Sequence, residues 1–260
     1  MDDMESGMAV TQSRFSMRQI LQYPFKPIKV IKEVLTMPRR QWLPPMIIIS
    51  LIAVASLIAA GWVNQQAAAM GEVTLPPDFE YYSPEQQAQY LQASQATQGF
   101  AFVYALPILG ALSKIWLGWL LVGAILHLSI TLLGGRGETS KSMTLVAWAF
   151  LPFALRDLVR LLYYIFARQP INSPGLSGLV TLPESNVALL LTAVLSLIDI
   201  YLLWHVVLLI RSVKATTGLP SGKAVASVLI TTLVIAGLQT GAIFLINKLQ
   251  SLSISQPFFF

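Results

Sequence analysis

The chain contains no cysteine. Disulfides, thiol catalysis and cysteine-based metal sites are therefore excluded. Histidine is almost as scarce: His127 and His205 are the two present, too few for a structural zinc site without thiolates. Charge is the third shortage. Asp, Glu, Lys and Arg make up 11% of the 260 residues, where a soluble domain carries about 25%. Hydrophobic residues make up 55%, so the composition is that of a polytopic membrane protein. The net charge of +5 therefore bears on how loops sit relative to spans and does not imply nucleic acid. Catalytic signatures are also missing. There is no HExxH, no GxSxG, no P-loop and no GxGxxG at a strand–helix junction. The glycine-rich GGRGETS follows a helix and reads as a tight turn rather than a phosphate cradle. Ser196, Asp199 and His205 do not make a triad, because His205 lies about 240° around the helix from Asp199. No catalytic residue, metal or cofactor is assigned.

What is present is a set of long apolar runs. Five are long enough for the ~30 Å hydrocarbon core at ~1.5 Å per residue: 43–63, 113–133, 143–166, 187–210 and 225–246. The expected fold class is an all-α, polytopic transmembrane helical bundle of five spans. Pro44 and Pro45 suit the first turn of span one, and Trp42 and Trp62 bracket it like an aromatic belt. The stretch 100–133 is over-long and is interrupted by Pro107 and Lys114. It reads as an entry segment, 100–112, before the crossing, with Lys114 snorkelling at the outer edge.

Residues 1–26 read as a disordered leader. Residues 27–37 read as an amphipathic interfacial helix, with Ile28, Ile31 and Leu35 at helical spacing. That helix has two placements: on the membrane surface, or packed on the cytoplasmic side of the bundle. Lys29, Lys32, Arg39 and Arg40 are the expected lipid or partner surface. The transmembrane domain spans 38–247, with an external loop at 64–99, and 248–260 form an external tail ending in three phenylalanines.

Orientation follows from the cations. Seven Lys/Arg precede span one, two lie in the loop after span two and three in the loop after span four. The opposing loops hold none (64–99) and one (Arg168). The positive-inside rule puts the N-terminus in the cytoplasm and the C-terminus outside.

The spans also carry ionisable residues, which are costly in hydrocarbon unless paired or used. Arg156, Asp157 and Arg160 lie in span three, Asp199 and His205 in span four, and His127 in span two. Helix rise puts Asp199 and Arg156 at matching depth, about 18–20 Å from the cytoplasmic ends of antiparallel spans. Asp157 and Arg160 are three apart on one helix and can pair along it. One reading is a neutralised pair that fixes the packing of two spans. The other is a proton or ion pathway lined by these groups. For the two histidines, interhelical hydrogen bonding is the expected role. A weak internal echo, GGRGETSKSMTLVAW against TTGLPSGKAVASVLI, places small residues, Ser and Lys before a span.

Three stretches carry a family resemblance: DIYLLWHVVLLIRSVKATTGLPSGKA from Asp199, GGRGETSKSMTLVAWAFLPFALRDL from Gly134, and VLTMPRRQWLPP from Val34. They resemble the membrane domain of the Ypt-interacting-protein (Yip) family over about 34–247. Asp199, Trp204, Gly218, Ser221 and Lys223 match one motif of that family; Trp148, Leu151 and Pro152 match another. The resemblance implies five spans and a cytoplasmic N-terminus. Eukaryotic relatives are associated with Rab/Ypt GTPases, vesicle budding and membrane shaping. This chain lacks their extended acidic, aromatic leader and looks more like prokaryotic members, so the GTPase partner is not carried over. The expected function is a non-enzymatic membrane-organising or adaptor role in a prokaryotic plasma membrane. Expected partners are anionic lipid headgroups and a cytoplasmic or membrane protein, with self-association allowed. The rival is a small ion- or proton-coupled transporter or channel using the intramembrane acids.

Overall fold

The described residues of the computed structural model are 17–37, 41–69, 79–171, 173–181 and 186–254, and all their regular structure is helical. The chain enters as a short helix, α1 (Met17–Gln22), and a second, α2 (Pro27–Leu35). Order therefore begins well before the end of the expected leader: Tyr23 is fully buried. Pro27 starts α2, where its fixed φ suits a first turn. Val30, Ile31 and Val34 are buried against the bundle, while Lys29, Lys32 and Glu33 face outward. Of its two placements, α2 adopts the packed one, seated on later helices.

The first long helix, α3 (Leu43–Ala69), begins on Pro44 and Pro45 and runs past the expected end of span one. Trp42 packs against the helical core. Its ring packs on Trp119, centroids 4.6 Å apart, and on Trp116 at 6.2 Å. Beyond α3, Ser83 and Gln86 form a reciprocal capping box, each side chain taking the other's backbone N–H. This starts α4 (Pro84–Thr97), inside the expected external loop.

The over-long second run is one helix. A wide turn with π-type hydrogen bonding, Ala101–Ala105, leads directly into α5 (Leu106–Leu132). The wide turn absorbs Pro107, whose ring excludes a regular bond to the preceding turn. Residues 100–112 are thus not a separate membrane segment.

Two expected spans are broken. The third is α6 (Thr139–Ala149) followed by α7 (Leu151–Ala167), parted at Phe150. The fourth is α8 (Asn186–Leu197) and α9 (Ile200–Thr216), bent by 57° at Ile198–Asp199. The last helix, α10 (Ser221–Ile254), has 34 residues and continues past the expected tail boundary. Residues 43–67, 101–132 and 221–246 are long and apolar enough to cross a bilayer, and α8–α9 make a fourth span if the bent pair counts as one. At 11 and 17 residues, α6 and α7 are each too short to join that group.

The core lies where α3, α5, α6, α9 and the start of α10 meet under α2. Trp148, Leu126, Ile130, Leu145, Leu209 and Val228 are all essentially inaccessible there.

Candidate functional site

Two backbone breaks create the site. Pro152 has no N–H to give to the carbonyl of Trp148, and the chain yields at Phe150. The Phe153 N–H turns to the Phe150 carbonyl at 2.9 Å. This leaves the Ala149 carbonyl free, and it accepts a hydrogen bond from Nδ1 of His205 at 2.7 Å. A carbonyl only accepts, so the His205 proton sits on Nδ1. The imidazole stands beside Phe150 and Phe153, both ring centroids at 5.2 Å. His205 thus makes an interhelical bond to a backbone group. His127 is a different case: its Nδ1 is buried with no hydrogen-bond partner.

At the second break Asp199 is extended, φ −142° and ψ 172°, and its Oδ1 accepts the Leu202 N–H at 2.7 Å. It is the N-cap of α9, which satisfies one of the four donors exposed at a helix start. The opposite stump, the end of α8, is closed by the loop before it. Leu176 donates its N–H to the Leu195 carbonyl at 2.9 Å. Gly175, at φ +61°, lies so close that a Cβ would sit 2.8–2.9 Å from the carbonyl oxygens of Leu195, Ser196 and Ile198. Only glycine meets both demands.

The charged side chains meet beside these breaks. Arg156 Nη1 lies 3.5 Å from Asp199 Oδ2, with the two side chains 28% and 14% exposed. Arg156 Nε lies 3.3 Å from Asp157 Oδ1, and Arg160 Nη1 lies 3.5 Å from that same oxygen. The Arg156 guanidinium also stacks over the Phe153 ring, 5.0 Å from its centroid. A cavity of about 450 Å³ opens next to the cluster, lined by Lys114, Arg156, Asp157, Arg160 and His205. Asp199 does not line it. Lys114, expected near the outer edge, sits thirteen positions inside the continuous helix 101–132. Among the described residues, no three His, Asp or Glu gather as metal ligands.

Residues 20–243 match the family model of the Yip1 domain. The chain belongs to the Yip1 domain family. No curated protein and no solved structure matches it. With the helices long and apolar enough to span, this Yip1 protein is an integral membrane protein.

In this Yip1 domain the motif residues are joints between helices. Trp148 is fully buried, donates Nε1–H to the Gln41 carbonyl at 2.9 Å and meets the Tyr23 ring edge-on at 5.5 Å. Tyr23 reaches on to Ser212 Oγ on α9, 3.0 Å away. Its burial raises the phenol well above the ordinary range, with the Ser212 hydrogen bond pulling the other way. Pro152 sits in the first turn of α7 and sets the break. Trp204 packs against the core at its edge. Gly218 (φ +69°) ends α9 in the left-handed conformation, as Gly134 (φ +87°) ends α5. Ser221 opens α10. Lys223 reaches across to the Leu133 carbonyl at 2.9 Å and so caps the end of α5. Lys29 and Lys32 are exposed, whereas Arg39 and Arg40 lie outside the described residues. Gln41, Tyr23, Gly175 and the Ala149 carbonyl carry no local sequence mark as site-builders.

Proposed function

We propose that this Yip1 protein is a non-enzymatic membrane-organising or adaptor protein whose Arg156–Asp199 pair fixes how α7 and α9 pack. One observation carries this reading: both oxygens of Asp199 are committed. Oδ1 caps α9 through the Leu202 N–H, and Oδ2 faces Arg156. An acid that takes up and releases an ion needs an oxygen open to a water path, and Asp199 stands apart from the cavity lining.

The positive-inside rule gives the orientation. The end with the α5–α6 and α9–α10 turns faces the cytoplasm of a prokaryotic plasma membrane, the N-terminus lies on that side and the C-terminus outside, with α6–α7 counted as a crossing. Lys29, Lys32, Arg136, Lys141, Arg211 and Lys214 are exposed at that end. They form a cationic surface for anionic headgroups or an acidic partner.

The cavity is the observation that favours a second reading, a small ion- or proton-coupled transporter or channel. Proton and cation flux in sealed vesicles reconstituted with the full chain separates the two. The expected result is no flux above that of protein-free vesicles. Alongside it, Arg156→Asp and Asp199→Arg should each lower thermal stability, and their combination should recover part of the loss. Wild-type flux that disappears in Asp199→Asn would overturn the packing reading.

A further inference from the structure

The cavity beside the Arg156–Asp199 pair is not neutral. Lys114, Arg156 and Arg160 line it, with Asp157. Counting Asp199, which Arg156 contacts, three cations stand against two carboxylates, a net of +1. The carboxylates are already shared: a single oxygen of Asp157 serves both arginines. Lys114 has no carboxylate within ion-pair distance among the described residues. An ammonium this far along a spanning helix, beside two guanidiniums, is costly without a counter-charge.

The walls indicate what supplies it. Each guanidinium offers five N–H donors in a planar fork, and few of them are used here. Thr231 and Gln239 of α10 also line the cavity. Much of the remaining lining is apolar, with Ile49, Leu57 and Ala60 from α3 and Ala111, Ile115 and Val122 from α5. The volume, about 450 Å³, falls in the range of small-molecule sites. Two guanidiniums and an ammonium line one space, a donor set that suits the tetrahedral oxygens of a phosphate better than a flat carboxylate. A phosphodiester carries one negative charge, which closes a net of +1.

We propose that this cavity binds a phosphate-bearing anion, held by Lys114, Arg156 and Arg160, with any attached apolar tail along the apolar residues of α3 and α5. The phosphate arrives either as an anionic phospholipid headgroup entering from the bilayer or as a free phosphate. The proposal goes beyond the packing role and holds whether or not that role does.

The test uses the purified full chain in mixed micelles. Thermal unfolding midpoints are followed against phosphatidylglycerol, against phosphatidylcholine, and against inorganic phosphate with chloride as the salt control. Bound phospholipid per chain is counted after purification. Phosphatidylglycerol or inorganic phosphate should raise the wild-type midpoint, and phosphatidylcholine should not. A response to phosphatidylglycerol alone assigns the lipid source; a response to inorganic phosphate assigns the soluble one. Lys114→Gln should weaken the effective probe roughly tenfold or more, the loss of one charge-assisted contact, and Lys114→Arg should restore it. Lys114 has no hydrogen-bond or ion-pair partner among the described residues, so Lys114→Gln should fold with a ligand-free midpoint no lower than wild type. Equal responses to all probes, or a Lys114→Gln response matching wild type, would refute the site.

Discussion

Asp199 performs two tasks with two oxygens, and substitution can separate them. Asp199→Asn keeps an oxygen that can accept the Leu202 N–H, now at 2.7 Å, and removes the charge facing Arg156 Nη1 at 3.5 Å. Breaking a buried pair costs about 3–5 kcal/mol when the remaining charge is stranded. Arg156 is not stranded, because Asp157 Oδ1 stays 3.3 Å from its Nε. The expected cost is therefore lower, about 1–2 kcal/mol. Asp199→Ala loses the cap as well, which adds about 1 kcal/mol. The order of stability should be wild type, then Asn, then Ala, with two separate steps. In an Arg156→Met background the Asn step should shrink toward zero while the Ala step persists, since the first needs a partner and the second does not. Unfolding by dodecyl sulfate in mixed micelles reads all of these variants. Equal losses for Asn and Ala would refute the capping argument. A neutral Asn variant would refute the pairing argument.

Two further outcomes follow from groups away from the charged cluster. Tyr23 is fully buried with its ionisation pushed upward, so its contribution is complete below the ordinary phenol value near 10 and declines as pH rises beyond it. Alkaline titration should release α1 and α2 before the bundle unfolds, seen as protease sensitivity near Tyr23. Tyr23→Phe should lose the Ser212 bond at neutral pH and flatten that alkaline response; an unchanged response would assign it to another group. Gly175→Ala should destabilise by more than about 1 kcal/mol, because it meets a positive φ and three carbonyl oxygens together. Gly134→Ala is the control, with positive φ and no backbone atom near its Cβ. Similar thermal losses in the two variants would remove the loop–stump contact from the argument.

Helical class and membrane character were legible because they rest on composition and run length, which no packing detail can reverse. The matching depth of Arg156 and Asp199 was legible because helix rise is nearly constant. Their local surroundings were not. Both 143–166 and 187–210 stay apolar enough on average to read as single spans despite their charged residues, so run length alone hides both breaks. Their marks were local: Pro152 just after Trp148–Phe150, and an acid three residues before Leu202 in capping position. Asp199 drew attention as a charge, which masked its use as a cap. Residues 100–112 were set apart from the crossing for a related reason. Pro107 suggested an interruption, and the wide turn at Ala101–Ala105 absorbs it instead. Tyr23, Gln41 and Trp148 meet across more than a hundred residues, and no local pattern announces such a joint.

The seating of α2 has a consequence for the order in which the molecule is made. Tyr23 bonds to Ser212, 189 residues later, and Val30, Ile31 and Val34 are buried only once α6 and α9 exist. At synthesis rates of about 5–20 residues per second, that is a wait of roughly 10–40 s. Throughout it, α2 is an amphipathic segment with a bare apolar face beside a bilayer. A membrane surface would suit that face during the wait, before the bundle receives it. The lipid-lying helix and the packed helix would then be successive stations of one segment, and a mutation that spares the finished fold could still act by disturbing the first.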